Sequence, residues 1–256
     1  PQSIASRKTD SRQVPGDLRQ IQKGDAVHEG MPRRLRYVPP GGALVEVTCR
    51  TLQARLLLRP SPLVREITLG ILGRAQRMTG VAIHAFVFLA NHYHLLVSVS
   101  DAAQLAKFVG YVNSNLAREL GRLHEWKEKL WGRRYEAILV SEEAESQVER
   151  LLYLARQGCK EGLVADPLDW PGATSWQAML DGRLLQGVWF DRTAEGLAQR
   201  KGTDSGAREF ASPETVGLTP LPAWAHLEPE VQRAQLRELL DLARAEAEAM
   251  RQETGR

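Results

Sequence analysis

The alternation of apolar and polar positions along the chain predicts four short strands and three longer helices. Residues 44 to 51 alternate and are rich in β-forming residues, which is typical of a half-buried strand. Apolar residues from Val64 to Met78 recur at helical spacing after Pro62, a residue type that favours the first turn of a helix. The same two periods predict further strands at 81–89, 95–99 and 137–140 and further helices at 105–123 and from 144 to about 160. The predicted order is therefore strand, helix, strand, strand, helix, strand, helix.

This order matches an α+β fold of the ferredoxin-like, split βαβ type, with a four-stranded antiparallel sheet and an extra third helix. Beyond that helix the chain is rich in turns, and an apolar stripe from residue 228 onwards predicts a C-terminal helical extension. We therefore predict a flexible leader (1–30), a folded domain (31–180), a loop-rich wrap and linker (181–227) and a C-terminal amphipathic helix (228–256).

Composition excludes several classes of protein. Hydrophobic residues make up 43% of the chain and charged residues 25%, which excludes a disordered or fibrous protein. The apolar runs are too short to span a membrane, and the N-terminus lacks the apolar core of a signal peptide, so we expect a cytoplasmic protein without membrane contact. The cysteines, Cys49 and Cys159, are too few for a disulfide framework or a cysteine zinc site.

The net charge of +3 is unevenly distributed along the chain. Residues 1–80 hold 14 Lys or Arg against 6 Asp or Glu, a balance of +8, whereas the remaining residues hold 20 against 25, a balance of −5. An arginine-rich first third suits a partner that carries phosphates. Charge alone fits a solubilising surface equally well.

Three of the six histidines, His84, His92 and His94, fall within eleven residues. His92 and His94 are two positions apart, so on a strand both imidazoles project from the same face and could bind one metal ion. The alternative is a pair of hydrogen-bonded histidines at a half-buried sheet surface, which the bare His-x-His spacing favours when taken alone.

The predicted third helix carries a second candidate pair, Tyr153 and Gln157. Four residues apart, they differ by only about 40° around the helix axis and lie opposite its apolar stripe. The alternative is a tyrosine that packs against the linker or the C-terminal helix. Two imidazoles and an amide oxygen would form a three-ligand site for Mg²⁺ or Mn²⁺, beside a phenol that attacks a phosphodiester.

The string from Asn91 to Val97, followed by a long helix and then the Tyr153 helix, resembles the single-tyrosine HUH transposases. These are the insertion sequence 200-like and REP-associated tyrosine transposases, and the resemblance covers about residues 31–180. It implies that His92 and His94 bind the metal, that Tyr153 on the extra, catalytic helix is the nucleophile and that Gln157 is the third ligand. Further similar segments are Leu130–Tyr135, Gly162–Val164 and Asp169–Pro171. The chain has Gln157-Gly158 where REP-associated members usually have Asn-Pro.

The resemblance implies a DNA transposase that cleaves and rejoins single-stranded DNA at hairpin-bearing ends through a phosphotyrosine intermediate. It also implies a nucleoid-associated state when the protein is bound to DNA, and it allows a homodimer. Tyr111 and Tyr135 compete with Tyr153 for the role of nucleophile. Candidate phosphate-binding residues, for which solvated charge is the alternative, are Arg33, Arg34, Arg133 and Arg134.

Two other functions remain open at this point. The first is a nucleic-acid-binding protein that keeps the transposase fold and no longer cleaves; the four intact candidate residues argue against it. The second is a nucleotide hydrolase of the His-x-His-x-His type, which requires a third histidine where this chain has Leu96.

Overall fold

The computed structural model describes residues 34–202 and 206–254, and its centre is a four-stranded antiparallel sheet. The strands are β1 (Ala43–Arg50), β2 (Ala82–Phe88), β3 (His92–Val99) and β4 (Glu136–Leu139). They lie in the order β2-β3-β1-β4, and every neighbouring pair is antiparallel. Because β3 lies between β1 and β2, the sheet has the split βαβ arrangement, which confirms the predicted ferredoxin-like α+β class. The predicted leader, residues 1–30, lies outside the described residues.

Helices α1 (Pro62–Thr79) and α2 (Ala102–Leu123) cover one face of this sheet. The hydroxyl of Ser61 accepts a hydrogen bond from the Val64 amide and begins α1, and Gly80, with a φ of 69°, ends it in the left-handed region. The apolar stripes of α1 and α2 pack on the strand residues that face them. Together these residues form the larger core cluster. The sequence period therefore predicts this layer correctly.

Helices α3 (Ala144–Ala155) and α4 (Gln157–Lys160) lie on the opposite face of the sheet, with α5 (Trp176–Asp181). The sequence predicts a single helix from 144 to about 160, whereas the structure has a break at Arg156. This residue keeps right-handed helical angles, φ −66° and ψ −19°, so α4 follows α3 directly. Leu151 and Leu154 of α3 are fully buried and belong to the second core cluster, which lies on this face of the sheet.

The segment 181–227, predicted as a loop-rich wrap and linker, contains regular structure. Strand β5 (Leu185–Phe190), helix α6 (Arg192–Arg200) and strand β6 (Ala211–Val216) follow one another, and the two strands pair antiparallel. The strands pack on α1, where Gly70 and Gly73 permit very close approach: a Cβ at Gly70 would lie 2.0 Å from the carbonyl oxygen of Val188. Short strands that contain glycine and proline show too little alternation to be recognised in the sequence.

Helix α7 (Pro229–Thr254) is the predicted C-terminal extension, and it packs on α3, α4 and α5. Its buried stripe consists of Leu236, Leu239, Leu240, Ala243 and Ala247. Val231, which the pattern includes in this stripe, is 44% exposed because it precedes the region of contact. Within the described ranges, no helix combines the length and the apolar character needed to cross a bilayer.

Candidate metal and nucleophile site

The two histidines lie on the face of the sheet that carries α3. Along β3, Tyr93 and Leu95 point into the core beneath α1 and α2, so the alternation of a strand turns His92 and His94 to the other face. Both are buried, and their ring centroids are 5.1 Å apart with the planes at 77°. The strand begins at His92, earlier than the apolar run alone predicts, and this start includes both imidazoles in the sheet.

Each imidazole uses one nitrogen for a contact with the protein. Nδ1 of His94 donates to Oε1 of Glu46 at 2.7 Å, and Nδ1 of His92 donates to Oδ1 of Asn91 at 2.6 Å. These bonds direct the lone pair of each ring to Nε2. Nε2 of His94 is buried and has no hydrogen-bond partner among the described residues.

The environment also keeps His92 uncharged. Burial lowers its pKa to about 4, and the neighbouring His94 and the positive charge of Arg50 act in the same direction. A neutral imidazole with a free lone pair is the form that binds a metal ion.

Tyr153 and Gln157 lie beside these histidines, on α3 and α4. The Tyr153 ring centroid is 5.6 Å from that of His94, with the planes at 78°. The side-chain amide of Gln157 donates to the carbonyl oxygen of Tyr153 at 2.9 Å, which orients the amide and leaves Oε1 as its acceptor. The structure therefore brings together the four residues that the sequence singles out.

These four side chains line one open cavity of about 630 Å³, together with Arg133 and Arg134. The side chain of Arg133 is 73% exposed and forms an ion pair with Glu136 at 2.5 Å. The guanidinium carbon of Arg134 is 5.4 Å from the ring centroid of Tyr135. Of the other two predicted phosphate-binding residues, Arg34 is exposed, and Arg33 lies outside the described residues.

The competing tyrosines do not line this cavity. Tyr135 is buried in the core cluster on the far side of the sheet, with α1 and α2. Tyr111 lies on α2 and lines a separate cavity with Lys107 and Trp189. Among the tyrosines that the sequence proposes, Tyr153 alone is next to the two histidines.

Two residues that the sequence analysis did not single out also contact the site. Glu46 accepts the hydrogen bond from His94, and its second oxygen, Oε2, is 2.8 Å from Nη1 of Arg150. The guanidinium carbon of Arg150 is 5.3 Å from the ring centroid of Tyr153. The available signal was a single carboxylate between the apolar residues Val45 and Val47 of β1.

The donor set fits a divalent metal ion. The two Nε2 atoms and the Gln157 amide oxygen are neutral donors, and the unpartnered Nε2 of His94 is a buried polar atom that a metal would satisfy. Over residues 34–202 and 206–254, no cluster of three or more His, Cys, Asp or Glu is arranged to hold a metal. The amide oxygen of Gln157, which lines the same cavity, is a candidate third ligand.

The part of the chain that contains the candidate site is similar to a known protein family. A family model described as an IS200-like transposase matches residues 57–157, the segment that contains the two histidines, Tyr153 and Gln157. The match covers 101 of the 256 residues, and it supports the family that the sequence motifs predict. No curated protein matches the chain.

Two solved structures show weaker similarity. A REP-associated tyrosine transposase bound to a REP hairpin aligns at 16% identity with a TM-score of 0.45, over 59% of this chain and 86% of its own. A protein described as a candidate transposase from Deinococcus radiodurans R1 aligns at 19% identity with a TM-score of 0.34, over 48% of this chain and 96% of its own. Neither alignment is close enough to extend the family match.

Proposed function

We propose that this protein is a transposase that cleaves and rejoins single-stranded DNA at hairpin-bearing ends through a phosphotyrosine at Tyr153, with Mg²⁺ or Mn²⁺ as cofactor. The observation that carries the proposal is the buried, unpartnered Nε2 of His94 next to the Tyr153 ring. A histidine with only a structural role is expected to use both nitrogens, because an unsatisfied buried polar atom costs about 1–3 kcal/mol. Here one nitrogen remains for a ligand beside a nucleophile.

Each side chain has a defined part in the proposed reaction. His92, His94 and Gln157 would hold the metal, which would polarise a phosphate oxygen when bound. The phenolic oxygen of Tyr153 attacks the scissile phosphorus and loses its proton to solvent, while the bond from phosphorus to the departing deoxyribose oxygen breaks and that oxygen takes up a proton. Attack by a DNA hydroxyl on the phosphotyrosine reverses these steps and rejoins the strand.

The proposed partner is a single strand or hairpin that enters the open cavity. Arg133 and Arg134 line this cavity, and guanidinium groups bind phosphates through paired hydrogen bonds. The histidines, Tyr153 and Gln157 all belong to one chain, so a homodimer, if formed, would serve to hold two DNA ends rather than to complete the site. Acting on chromosomal DNA, the protein would be associated with the nucleoid.

The proposal is tested by trapping the covalent intermediate. Wild-type protein is incubated with a labelled single-stranded hairpin and Mn²⁺, and a denaturant-resistant adduct is expected. His94→Ala should lose the adduct and keep most of its hairpin affinity, because binding depends on the arginines and on shape. The control is His226→Ala, an exposed histidine outside the cavity, which should behave as wild type.

Two outcomes would overturn this function. Undiminished adduct in His94→Ala would reject the metal assignment. Tight hairpin binding by the wild-type protein, with no adduct in either Mg²⁺ or Mn²⁺, would instead support the non-cleaving nucleic-acid-binding protein.

A further inference from the structure

We propose that Glu46 is a positioning residue that couples the metal-binding half of the site to its nucleophile half. The inference rests on the proposed function, because it assigns to this residue the orientation of a metal ligand and of the group beside the attacking phenol. Glu46 lies in the middle of β1, and no motif of the sequence points to it.

The contacts of Glu46 divide between the two halves. Glu46 is 1% exposed. Burying a carboxylate so deeply lowers the stability of the folded protein unless both oxygens are paired. Oε1 accepts from His94 at 2.7 Å, and Oε2 accepts from Arg150 at 2.8 Å. Each oxygen therefore contacts a different functional element, the strand of the histidines and the helix of the tyrosine.

Toward His94, the carboxylate selects the tautomer of the ring. With the proton held on Nδ1, the lone pair is on Nε2, and the ring cannot rotate without losing a buried, charge-assisted hydrogen bond. Carboxylates that hold a metal-binding histidine in this way typically change metal affinity by about 10- to 100-fold when they are removed.

Toward Tyr153, the carboxylate acts through Arg150. Arg150 and Tyr153 are three positions apart on α3, so their side chains lie on the same surface of the helix. The guanidinium carbon of Arg150 is 5.3 Å from the ring centroid of Tyr153. Glu46 fixes this cation beside the ring, where it favours the negative charge that returns to the phenolic oxygen when the phosphotyrosine is broken.

A purely structural role is tested against a matched buried acid. Glu214 is also buried and paired with two arginines, Arg74 and Arg77, but it ties β6 to α1 outside the candidate site. Glu46→Gln and Glu214→Gln each exchange a buried carboxylate for an amide of the same shape. A general loss of stability affects both variants, whereas loss of positioning affects only the first.

The first measurement is the Mn²⁺ dissociation constant, by titration calorimetry in the absence of DNA. Wild type and Glu214→Gln are expected to agree within about 2-fold, and Glu46→Gln is expected to bind at least about 10-fold more weakly. Equal affinity in Glu46→Gln would overturn the inference and leave the proposed function standing. If the wild-type protein does not bind Mn²⁺, or if His94→Ala binds it equally well, the proposed metal site itself fails.

The second measurement addresses the nucleophile half. At saturating Mn²⁺, adduct formation by Glu46→Gln should remain slower than in Glu214→Gln, because Arg150 has lost its ionic partner. Full recovery of the rate at saturating Mn²⁺ would overturn the coupling to Tyr153.

The third measurement needs no variant and so is independent of whether Glu46→Gln folds. Nitrogen-15 NMR of the metal-free wild-type protein should show neutral His94 protonated at Nδ1. Protonation at Nε2 would overturn the proposed role of Glu46.

Discussion

Neighbouring histidines of this protein differ in how many ring nitrogens the protein uses. His92 and His94 each donate from Nδ1 to a side-chain oxygen, which fixes the orientation of both rings. His84, eight residues before His92, uses both nitrogens: Nδ1 contacts the carbonyl oxygens of Thr219 and Pro220, and Nε2 is 2.7 Å from the hydroxyl of Ser98. The number of ring nitrogens in use therefore separates a structural histidine from two candidate ligands.

The pH dependence of stability should reveal His84. Burial lowers its pKa in the folded state, against a weaker opposing effect of the two carbonyl contacts. The unfolded chain therefore takes up a proton near pH 6.5 while folded His84 stays neutral, so this histidine makes the free energy of unfolding fall on acidification below about pH 6.5. In His84→Asn this loss should be smaller.

Urea unfolding at about pH 7.5 and about pH 5.5 measures the difference. The exposed His226 provides the control, since His226→Asn should keep the wild-type dependence on pH. An unchanged dependence in His84→Asn would show that His84 becomes protonated in the folded protein as readily as in water.

Among the elements, the packing of the β5–β6 pair on α1 depends on glycines, which have no side chain at the contact. A Cβ at Gly70 would lie 2.0 Å from the carbonyl oxygen of Val188, which is backbone and cannot rotate away. We expect Gly70→Ala to lower the free energy of unfolding by about 1–3 kcal/mol or more, the usual cost of overpacking. Chemical denaturation measures this change.

Gly110 gives the matched control on α2. It is a helical glycine, and no neighbouring atom lies within 4 Å of the position that a Cβ would take there. Gly110→Ala should therefore stabilise the protein by about 0.5–1 kcal/mol through helix propensity. If both variants are stabilised, β5 does not pack on α1 as closely as the structure indicates.

The sequence pattern predicts the elements that carry a long apolar stripe or a compact run of β-forming residues. It finds α1, α2 and α7 by their stripes, and the four strands of the main sheet by alternation or by continuous apolar runs. It misses β5 and β6, whose packing depends on glycine contacts between segments far apart in sequence. The break at Arg156 is also invisible in the sequence, because this residue keeps helical angles.

In the candidate site, too, the sequence predicts the local pairs and misses the contacts between distant segments. His92 with His94, and Tyr153 with Gln157, are local pairs whose spacing fixes their direction, so the sequence identifies them. Glu46 and Arg150 are separated by 104 residues, and only the pairing of β1 with β3 and the position of α3 bring them together. Long-range contacts of this kind leave no periodic signal.

At the scale of the whole molecule, charge should govern affinity for DNA. The net charge of +3 is too small for indiscriminate attraction, so binding should depend on arginines at the cavity. Each lost phosphate contact removes about 0.7 (single strand) to 0.9 (duplex stem) from the slope of log affinity against log salt, so Arg133→Ala with Arg134→Ala should reduce the slope for a hairpin by about 1.4–1.8. Hairpin titrations at several salt concentrations measure it.

A different result would change the assignment of this surface. If the slope of the double variant equals that of wild type, these two arginines do not contact phosphate. An affinity that does not vary with salt at all would favour a protein partner for the cavity.

Mapping of the trapped adduct tests whether Tyr153 forms the covalent bond to DNA. Tyr153→Phe removes only the attacking oxygen and keeps the ring beside His94, so fold, Mn²⁺ binding and hairpin binding should survive while the adduct disappears. Tyr135→Phe should retain the adduct, and mass spectrometry of the wild-type complex should find the nucleotide on the peptide that contains Tyr153. A nucleotide on Tyr135 or Tyr111, or undiminished adduct in Tyr153→Phe, would contradict the claim.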